Sequence, residues 1–233
     1  MKWAALMLGL WASVAQAACR QALVLGLDVS GSVDGVEYRL QLEGLARALE
    51  ASEVQAMALA MPQAPIRLAV FEWGGEAQQR LLVDWTELQT PGDMALVAAQ
   101  LRASQNRYDD PNTAIGSAIV WGAEMLRGQE CWQKTLDISG DGPSNTGPHP
   151  GSLSEASVAG ITVNGLVVGP QSRANTSKDL SQVTSLQAHY ERHVIRGPGA
   201  FVETAMDYED FAQAMQRKLQ REMAAPQVVQ ARR

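Results

Sequence analysis

Five polar residues in three separate segments could bind a metal ion together. Asp28, Ser30 and Ser32 form an Asp-x-Ser-x-Ser pattern directly after an apolar run, Thr113 opens a helical segment, and Asp141 follows a second apolar run. If the apolar runs are parallel strands, the two carboxylates and three hydroxyls meet at one edge of a sheet. Oxygen ligands of this kind suit a hard divalent cation, Mg²⁺ above all, with Mn²⁺ or Ca²⁺ as alternatives.

Each part of this pattern has an ordinary explanation when it is taken alone. Ser and Asp are common turn and N-cap residues, so Asp-x-Ser-x-Ser by itself indicates little. The cation site is favoured by the combination, in this order, with a threonine at a helix start and an Asp-Gly after a strand. We interpret Asp34, Asp109 and Asp110 as capping or surface residues rather than ligands.

The segments around these residues predict strands that alternate with helices. Apolar runs predict buried strands at 21–27, 66–73, 134–139 and 161–168, with an edge strand at 81–85 and a last strand within 191–195. Helices are predicted at 36–49, 90–101, 113–126, 152–159, 178–189 and 208–223. This alternation predicts a Rossmann-like, doubly wound α/β domain, with a mostly parallel six-strand sheet and helices on both faces.

Length and charge limit the possible partners. The chain has 233 residues and a formal charge of -6. It is long enough for one well-covered α/β domain, and it has no basic stripe that could neutralise the phosphates of a nucleic acid. We expect a monomer with no nucleic-acid partner.

The N-terminus has the features of a signal peptide. Lys2 supplies a positive charge, residues 4–14 form a short apolar run, and Ala15-Gln16-Ala17 offers small residues at a cleavage site. We predict a signal peptide at 1–17, a domain at 18–223 and a flexible tail at 224–233; a buried N-terminal helix is the alternative. The mature chain would then be periplasmic or secreted, with no membrane span.

The two cysteines are predicted to form a disulfide. Cys19 lies nine residues before Asp28, and Cys131 lies ten residues before Asp141. If each cysteine enters one of two neighbouring parallel strands, both lie at the same edge of the sheet, within reach of each other. An even number of cysteines in an oxidising compartment favours a disulfide, whereas two unrelated thiols are the alternative.

The five polar residues resemble the metal-ion-dependent adhesion site of the von Willebrand factor A fold. That site consists of Asp-x-Ser-x-Ser, then a Thr, then an Asp on a later strand, which Asp28, Ser30, Ser32, Thr113 and Asp141 match in order. The resemblance implies direct binding of the metal by both serines, and binding by the threonine directly or through water. It also implies that the aspartates act mainly through bridging waters, and that an Asp or Glu of a protein partner completes the shell.

The chain is most similar to a bacterial family of exported proteins of unknown function with this fold. The similarity rests on Asp-Val-Ser-Gly-Ser-Val at 28–33, Cys131-Trp132, Ile-Ser-Gly-Asp-Gly-Pro-Ser-Asn at 138–145 and Gly-Pro-Gly-Ala-Phe at 197–201. It spans nearly the whole mature chain. We therefore expect an exported, metal-dependent protein-binding module of the adhesion type, not an enzyme.

The best alternative is a Mg²⁺-dependent phosphatase of the haloacid-dehalogenase type. Asp28 could be its nucleophile and Asp141 part of its acidic loop. However, Ser30 stands where such enzymes carry the second carboxylate, which serves as general acid and base. The sequence therefore favours binding over phosphoryl transfer.

The histidines could bring other chemistry to these loops. A serine nucleophile would need a histidine partner, and His149 lies close enough in sequence to Asp141 to approach the site. We interpret His149 as a surface-loop residue. His189 and His193 have the spacing of a helical metal pair, but Glu191 does not occupy the metalloprotease position, so we interpret the pair as incidental.

Overall fold

Six strands form one sheet, described here from a computed structural model that covers residues 19–105, 110–170 and 177–224. The strands are β1 (Gln21–Asp28), β2 (Ile66–Trp73), β3 (Gln79–Leu88), β4 (Gln133–Gly140), β5 (Thr162–Val168) and β6 (Val202–Ala205). Their order is β3-β2-β1-β4-β5-β6, and every neighbouring pair is parallel except β2 and β3. The predicted doubly wound, mostly parallel sheet is confirmed. The predicted signal peptide and residues 225–233 of the predicted tail lie outside the described residues.

The central strand β1 is apolar because both of its faces are covered. All eight of its residues are buried. Leu23, Leu25 and Leu27 belong to one hydrophobic core, and Ala22 and Val24 belong to the core on the opposite face. A strand between two layers needs apolar residues at successive positions, which explains the near-continuous run in the sequence.

Among the described residues, six α-helices cover the two faces of the sheet. They are α1 (Gly35–Glu50), α2 (Ser52–Ala58), α3 (Pro91–Ala103), α4 (Ile115–Arg127), α5 (Ser177–His193) and α6 (Phe211–Met223). Side chains of α1, α3 and α6 build one core against the sheet, and side chains of α4 and α5 build the other. Asp34 caps α1 through a capping box with Glu37, as expected for an Asp before a helix. The interpretation of Asp34 as a capping residue is confirmed.

The last strand was predicted in the wrong place. Residues 191–193 continue α5, and the sixth strand is β6, at Val202–Ala205. Two short 3₁₀ turns, at Pro150–Ser152 and Glu155–Val158, replace the helix predicted at 152–159. Helix α2 was not predicted.

The predicted disulfide between Cys19 and Cys131 is confirmed, with 4.7 Å between the two Cα atoms. It joins the segments that lead into β1 and β4, at the end of the sheet opposite to the loops that follow these strands. Next to it, the buried Arg20 donates to the carbonyl oxygens of Met57 and Ala58, at the end of α2, and of Met223, at the end of α6. A cation at two helix C-termini is favourable, because the last carbonyls of a helix carry partial negative charge.

A cluster of charged side chains lies buried between the sheet and α6. Lys218 Nζ is 3.1 Å from Asp137 Oδ1 and 2.9 Å from Glu222 Oε1, and all three side chains are almost fully buried. Asn164 Nδ2 donates to the same Glu222 oxygen at 2.6 Å. Burial, above all, raises the pKa of Asp137 to about 7. The single positive charge of Lys218 therefore faces two buried carboxyl groups.

Among the described helices, none is both long enough and apolar enough to cross a membrane.

Candidate metal-binding site

The predicted ligands lie where the order of strands reverses. From β1 the chain proceeds to β2 on one side, and β4 is the neighbour of β1 on the other side. Asp28 is the last residue of β1, and Asp141 directly follows β4. In an open α/β sheet, this crevice outside the carboxyl ends of the strands is the usual ligand site.

The loop after β1 arranges its oxygens in a row that reaches Asp141. Asp28 Oδ1 accepts the backbone N–H of Ser30 at 2.7 Å, and the backbone N–H of Val33 closes a turn on the carbonyl of Ser30. The hydroxyls of Ser30 and Ser32 share a hydrogen bond, with 3.3 Å between the two Oγ atoms. Ser32 Oγ donates to Asp141 Oδ1 at 2.6 Å. Ser30 is buried and Ser32 is exposed, so the row runs from the interior to the surface.

Backbone contacts bring Thr113 to the same edge. Its N–H donates to Asn145 Oδ1 at 2.8 Å, and its carbonyl accepts the N–H of Asn145 at 2.9 Å. The next residue, Ala114, donates to the carbonyl of Gly74, directly after β2. The loop before Thr113 also touches the loop after β1, because a β-carbon on Gly31 would run into Pro111. Three loops, after β1, before α4 and after β4, are thus held together.

The two aspartates place negative charge in a buried environment. Burial, followed by repulsion from Asp141, raises the pKa of Asp28 to about 8, and the hydrogen bonds from Ser30 oppose this shift. Burial also raises the pKa of Asp141, against hydrogen bonds from Ser32 and Tyr208. A divalent cation at this edge would lower the pKa of both groups and keep both ionised.

The donor atoms fit a hard cation. They are hydroxyl and carboxylate oxygens, which Mg²⁺, Mn²⁺ and Ca²⁺ prefer, without thiolate or imidazole ligands. In the described part of the chain, no group of three or more His, Cys, Asp or Glu side chains is arranged to hold a metal ion. A metal at this edge would therefore need the hydroxyls as ligands.

Three aromatic side chains lie beside these aspartates, and sequence reasoning missed two of them, Tyr190 and Tyr208. Tyr208 Oη donates to Asp141 Oδ2 at 3.3 Å. Tyr190 and Trp73 are completely buried, and their polar atoms, Oη and Nε1, have no hydrogen-bond partner among the described residues. The third, Trp73, ends β2, and from this position alone the sequence indicates that its side chain could flank the metal face.

The three histidines form a cluster next to this site. The ring of His149 lies 4.9 Å from that of His193, and the rings of His189 and His193 lie 5.1 Å apart. His149 Nδ1 accepts the N–H of Gly151 and caps a 3₁₀ turn. Burial, then the neighbouring His193 and His149, lowers the pKa of His189. Because the Nδ1 lone pair of His149 already accepts this hydrogen bond, we assign this histidine a structural role in the cluster.

A cavity of about 570 Å³ opens beside Asp141. Its walls come from the end of β5 and the middle of α5, with Val168, Val183, Leu186 and His189 among the lining residues. The candidate site therefore adjoins a partly apolar depression.

The sequence matches a protein family over nearly its whole length. Residues 18–227 match the family described as protein of unknown function (DUF1194). No curated protein matches the sequence significantly.

Solved structures with a similar fold include adhesion and matrix proteins. Proximal thread matrix protein 1 from the mussel byssus, solved with a zinc-occupied MIDAS motif, has a TM-score of 0.57 and 15% identity, covering 88% of this chain and 48% of that one. The pilus adhesin SpaC from Lactobacillus rhamnosus GG has a TM-score of 0.60 and 11% identity, covering 89% and 31%. A von Willebrand factor type A protein from Catenulispora acidiphila has a TM-score of 0.50 and 16% identity, covering 88% and 43%.

At these identities, the similarity establishes the fold alone, which is of the von Willebrand factor A type. The chain spans about a third to a half of the length of these three proteins.

Proposed function

Because this chain belongs to a family of unknown function (DUF1194) and has a von Willebrand factor A-like fold, we propose that it is an exported protein-binding module that recognises an acidic group through a divalent cation. The observation that carries the proposal is the row of oxygens from Ser30 through Ser32 to Asp141, with spacings of 3.3 and 2.6 Å. This row starts at the buried Ser30 and reaches the surface at Ser32.

The residues of the site would have two different roles in binding the cation. Ser30, Ser32 and Thr113 would offer hydroxyl oxygens to the cation, while Asp28 and Asp141 would supply the negative charge and orient the hydroxyls. When bound, the cation supplies a Lewis-acidic position, because neutral hydroxyl ligands leave much of its charge uncompensated. An Asp or Glu carboxylate from a partner is the natural ligand for that position.

The surroundings of the site support a protein partner. Ser32 is exposed, so a side chain from another molecule can reach the end of the row. The cavity beside Asp141 offers room for the residues that flank the acidic group. Two proteins with this fold also support the proposal. The mussel matrix protein holds zinc in its metal-ion-dependent adhesion site (MIDAS), and SpaC is a pilus adhesin.

The disulfide supports the proposed location. Disulfides persist mainly in oxidising compartments such as the periplasm or the extracellular space, and the bond between Cys19 and Cys131 fits export. A signal peptide at 1–17 and a monomeric mature chain complete the proposal.

Calorimetric titration of the mature chain with Mg²⁺, Mn²⁺, Ca²⁺ and Zn²⁺ tests the metal site. Replacing Ser32 by Ala removes an exposed hydroxyl without disturbing the core, so we expect at least a ~10-fold loss of cation affinity and an unchanged fold. Ser154→Ala is the matched control, because this exposed serine, hydrogen-bonded to Ser157, lies in the loop before β5. Equal cation affinity in the Ser32→Ala variant and the wild type would refute the site.

Capture from envelope extract then tests the function. Partner binding should require the cation, and it should be lost in chelator and in the Ser32→Ala variant. Partner binding that survives both would contradict the proposal. Turnover of phosphomonoesters that disappears in an Asp28→Asn variant would instead support the phosphatase alternative.

A further inference from the structure

Three buried polar atoms near the candidate metal site have no hydrogen-bond partner among the described residues. Asp28 uses Oδ1 to accept the N–H of Ser30, and its other oxygen, Oδ2, is the first of these atoms. Tyr190 Oη and Trp73 Nε1 are the other two. Unsatisfied buried polar groups are rare and costly, so three in one region require an explanation.

Gly140 shows that these groups face one small space. A β-carbon on this glycine would lie 3.0 Å from Asp28 Oδ2 and in close contact with Tyr190 Oη. It would also lie 3.4 Å from Cζ2 of Trp73, which is on the same side of the indole as Nε1. The absence of a side chain at position 140 therefore keeps open the space that the three groups share.

A second glycine places the tyrosine. Tyr190 belongs to α5, and its ring lies against β5 at Gly165, where a β-carbon would come within 2.6 Å of the ring. The ring therefore contacts β5 closely at Gly165, and its hydroxyl lies next to Gly140 at the end of β4. Tyr190 is completely buried, so water from the bulk does not compete at its hydroxyl.

The hydrogen-bonding types are complementary. Asp28 Oδ2 only accepts when the carboxyl group is ionised, whereas a phenol O–H and an indole N–H both donate. Two donors and one acceptor therefore belong to the side chains that surround position 140. We infer that Tyr190 and Trp73 are positioning residues, which donate to Asp28 Oδ2 directly or through one enclosed water and thereby orient this carboxylate for the cation.

This role rests on the proposed metal site and adds to it an outer layer of support. Hydrogen bonds to the groups that surround a bound metal typically change its affinity by about 10- to 100-fold. In this protein, the layer links the loop after β1 to α5, which none of the sequence motifs indicated. Tyr208 gives Asp141 a comparable donor from the turn before α6.

Replacing Tyr190 by Phe tests the role. The variant keeps the ring and removes the hydroxyl, so the affinity of the mature chain for Mg²⁺ or Mn²⁺, measured by calorimetry, should fall by about 10-fold or more. In chelator, its stability should change little, because the substitution removes both the hydrogen bond of the hydroxyl and the cost of burying it. A purely structural tyrosine would change stability and leave the affinity for the cation unchanged.

The matched control is Tyr38→Phe. Tyr38 is also buried and donates to Glu72 at 3.2 Å, which is not among the candidate ligands. This control should lose stability and keep its cation affinity. If the wild type binds cations and Tyr190→Phe binds them equally well, the positioning role is refuted and the proposed site stands. If the wild type binds no cation, both fail.

Discussion

Removing the disulfide should destabilise the protein by a few kcal/mol without altering the candidate site. The bond joins Cys19 to Cys131 across a sequence separation of 112 residues. Closure of a loop of about 100 residues in the unfolded chain corresponds to about 4.7 kcal/mol of lost conformational entropy, and measured losses are typically about 2–4 kcal/mol. For a double variant with Ala at both positions, we expect a loss of about 2–4 kcal/mol. Because the total stability of a domain is about 5–15 kcal/mol, this is a large fraction.

Equilibrium unfolding in urea measures the effect. The double variant should show a lower midpoint, and reductant should leave its curve unchanged while moving the wild-type curve towards it. Its cation affinity should remain that of the wild type, since the disulfide lies at the opposite end of β1 and β4 from the candidate ligands. A stability within about 1 kcal/mol of the wild type would refute the argument from the loop length, and two free thiols in the oxidised wild type would refute the bond.

Two further predictions concern buried charges. Burial, above all, raises the pKa of Asp28 from 3.8 to about 8. The folded state therefore binds this proton more tightly than the unfolded chain does, so the stability of the metal-free protein should fall as the pH rises through this range. A cation competes with the same proton, so the gain in Tm from Mg²⁺ should be larger at pH about 8.5 than at about 6, and equal gains would contradict the site. Replacing Lys218 by Met should cost about 3–5 kcal/mol in urea unfolding, because Asp137 and Glu222 lose their only positive partner in the cluster; a neutral result would show that both carboxyl groups are already protonated.

The sequence predicted those parts of the fold that depend on long apolar runs. β1 could be predicted because a strand covered on both faces needs apolar residues at successive positions. β6 could not, because it has only four residues, and the first three, Val202, Glu203 and Thr204, are only partly buried. α5 continues through the charged residues Glu191 and Arg192, which look like a break in the apolar pattern but lie on the solvent side of the helix.

For the candidate site, the sequence predicted the loops that carry the ligands but not the tyrosine side chains that lie beside the aspartates. Asp28 and Asp141 could be predicted to lie together, because parallel strands end at the same edge of a sheet. The donors Tyr190 and Tyr208 could not, since Tyr190 belongs to α5 and Tyr208 to the turn before α6, and their positions beside the aspartates depend on tertiary packing. The space at Gly140, where a sequence shows only a turn-forming glycine, is visible only in three dimensions.

The position of Arg20 has a consequence for the order in which the protein folds. Its guanidinium binds the carbonyl of Met223, 203 residues later in the chain, and β1 finds one of its two partners, β4, only after more than 100 residues. Contacts of such long range close slowly, because the chain loses much entropy before they form. During synthesis, β1 must therefore wait for more than half of the chain before β4 is available, and Arg20 can bind Met223 only when nearly all of the chain is present. Folding is expected to be a late and slow event, which gives the chain a long interval in an unfolded state.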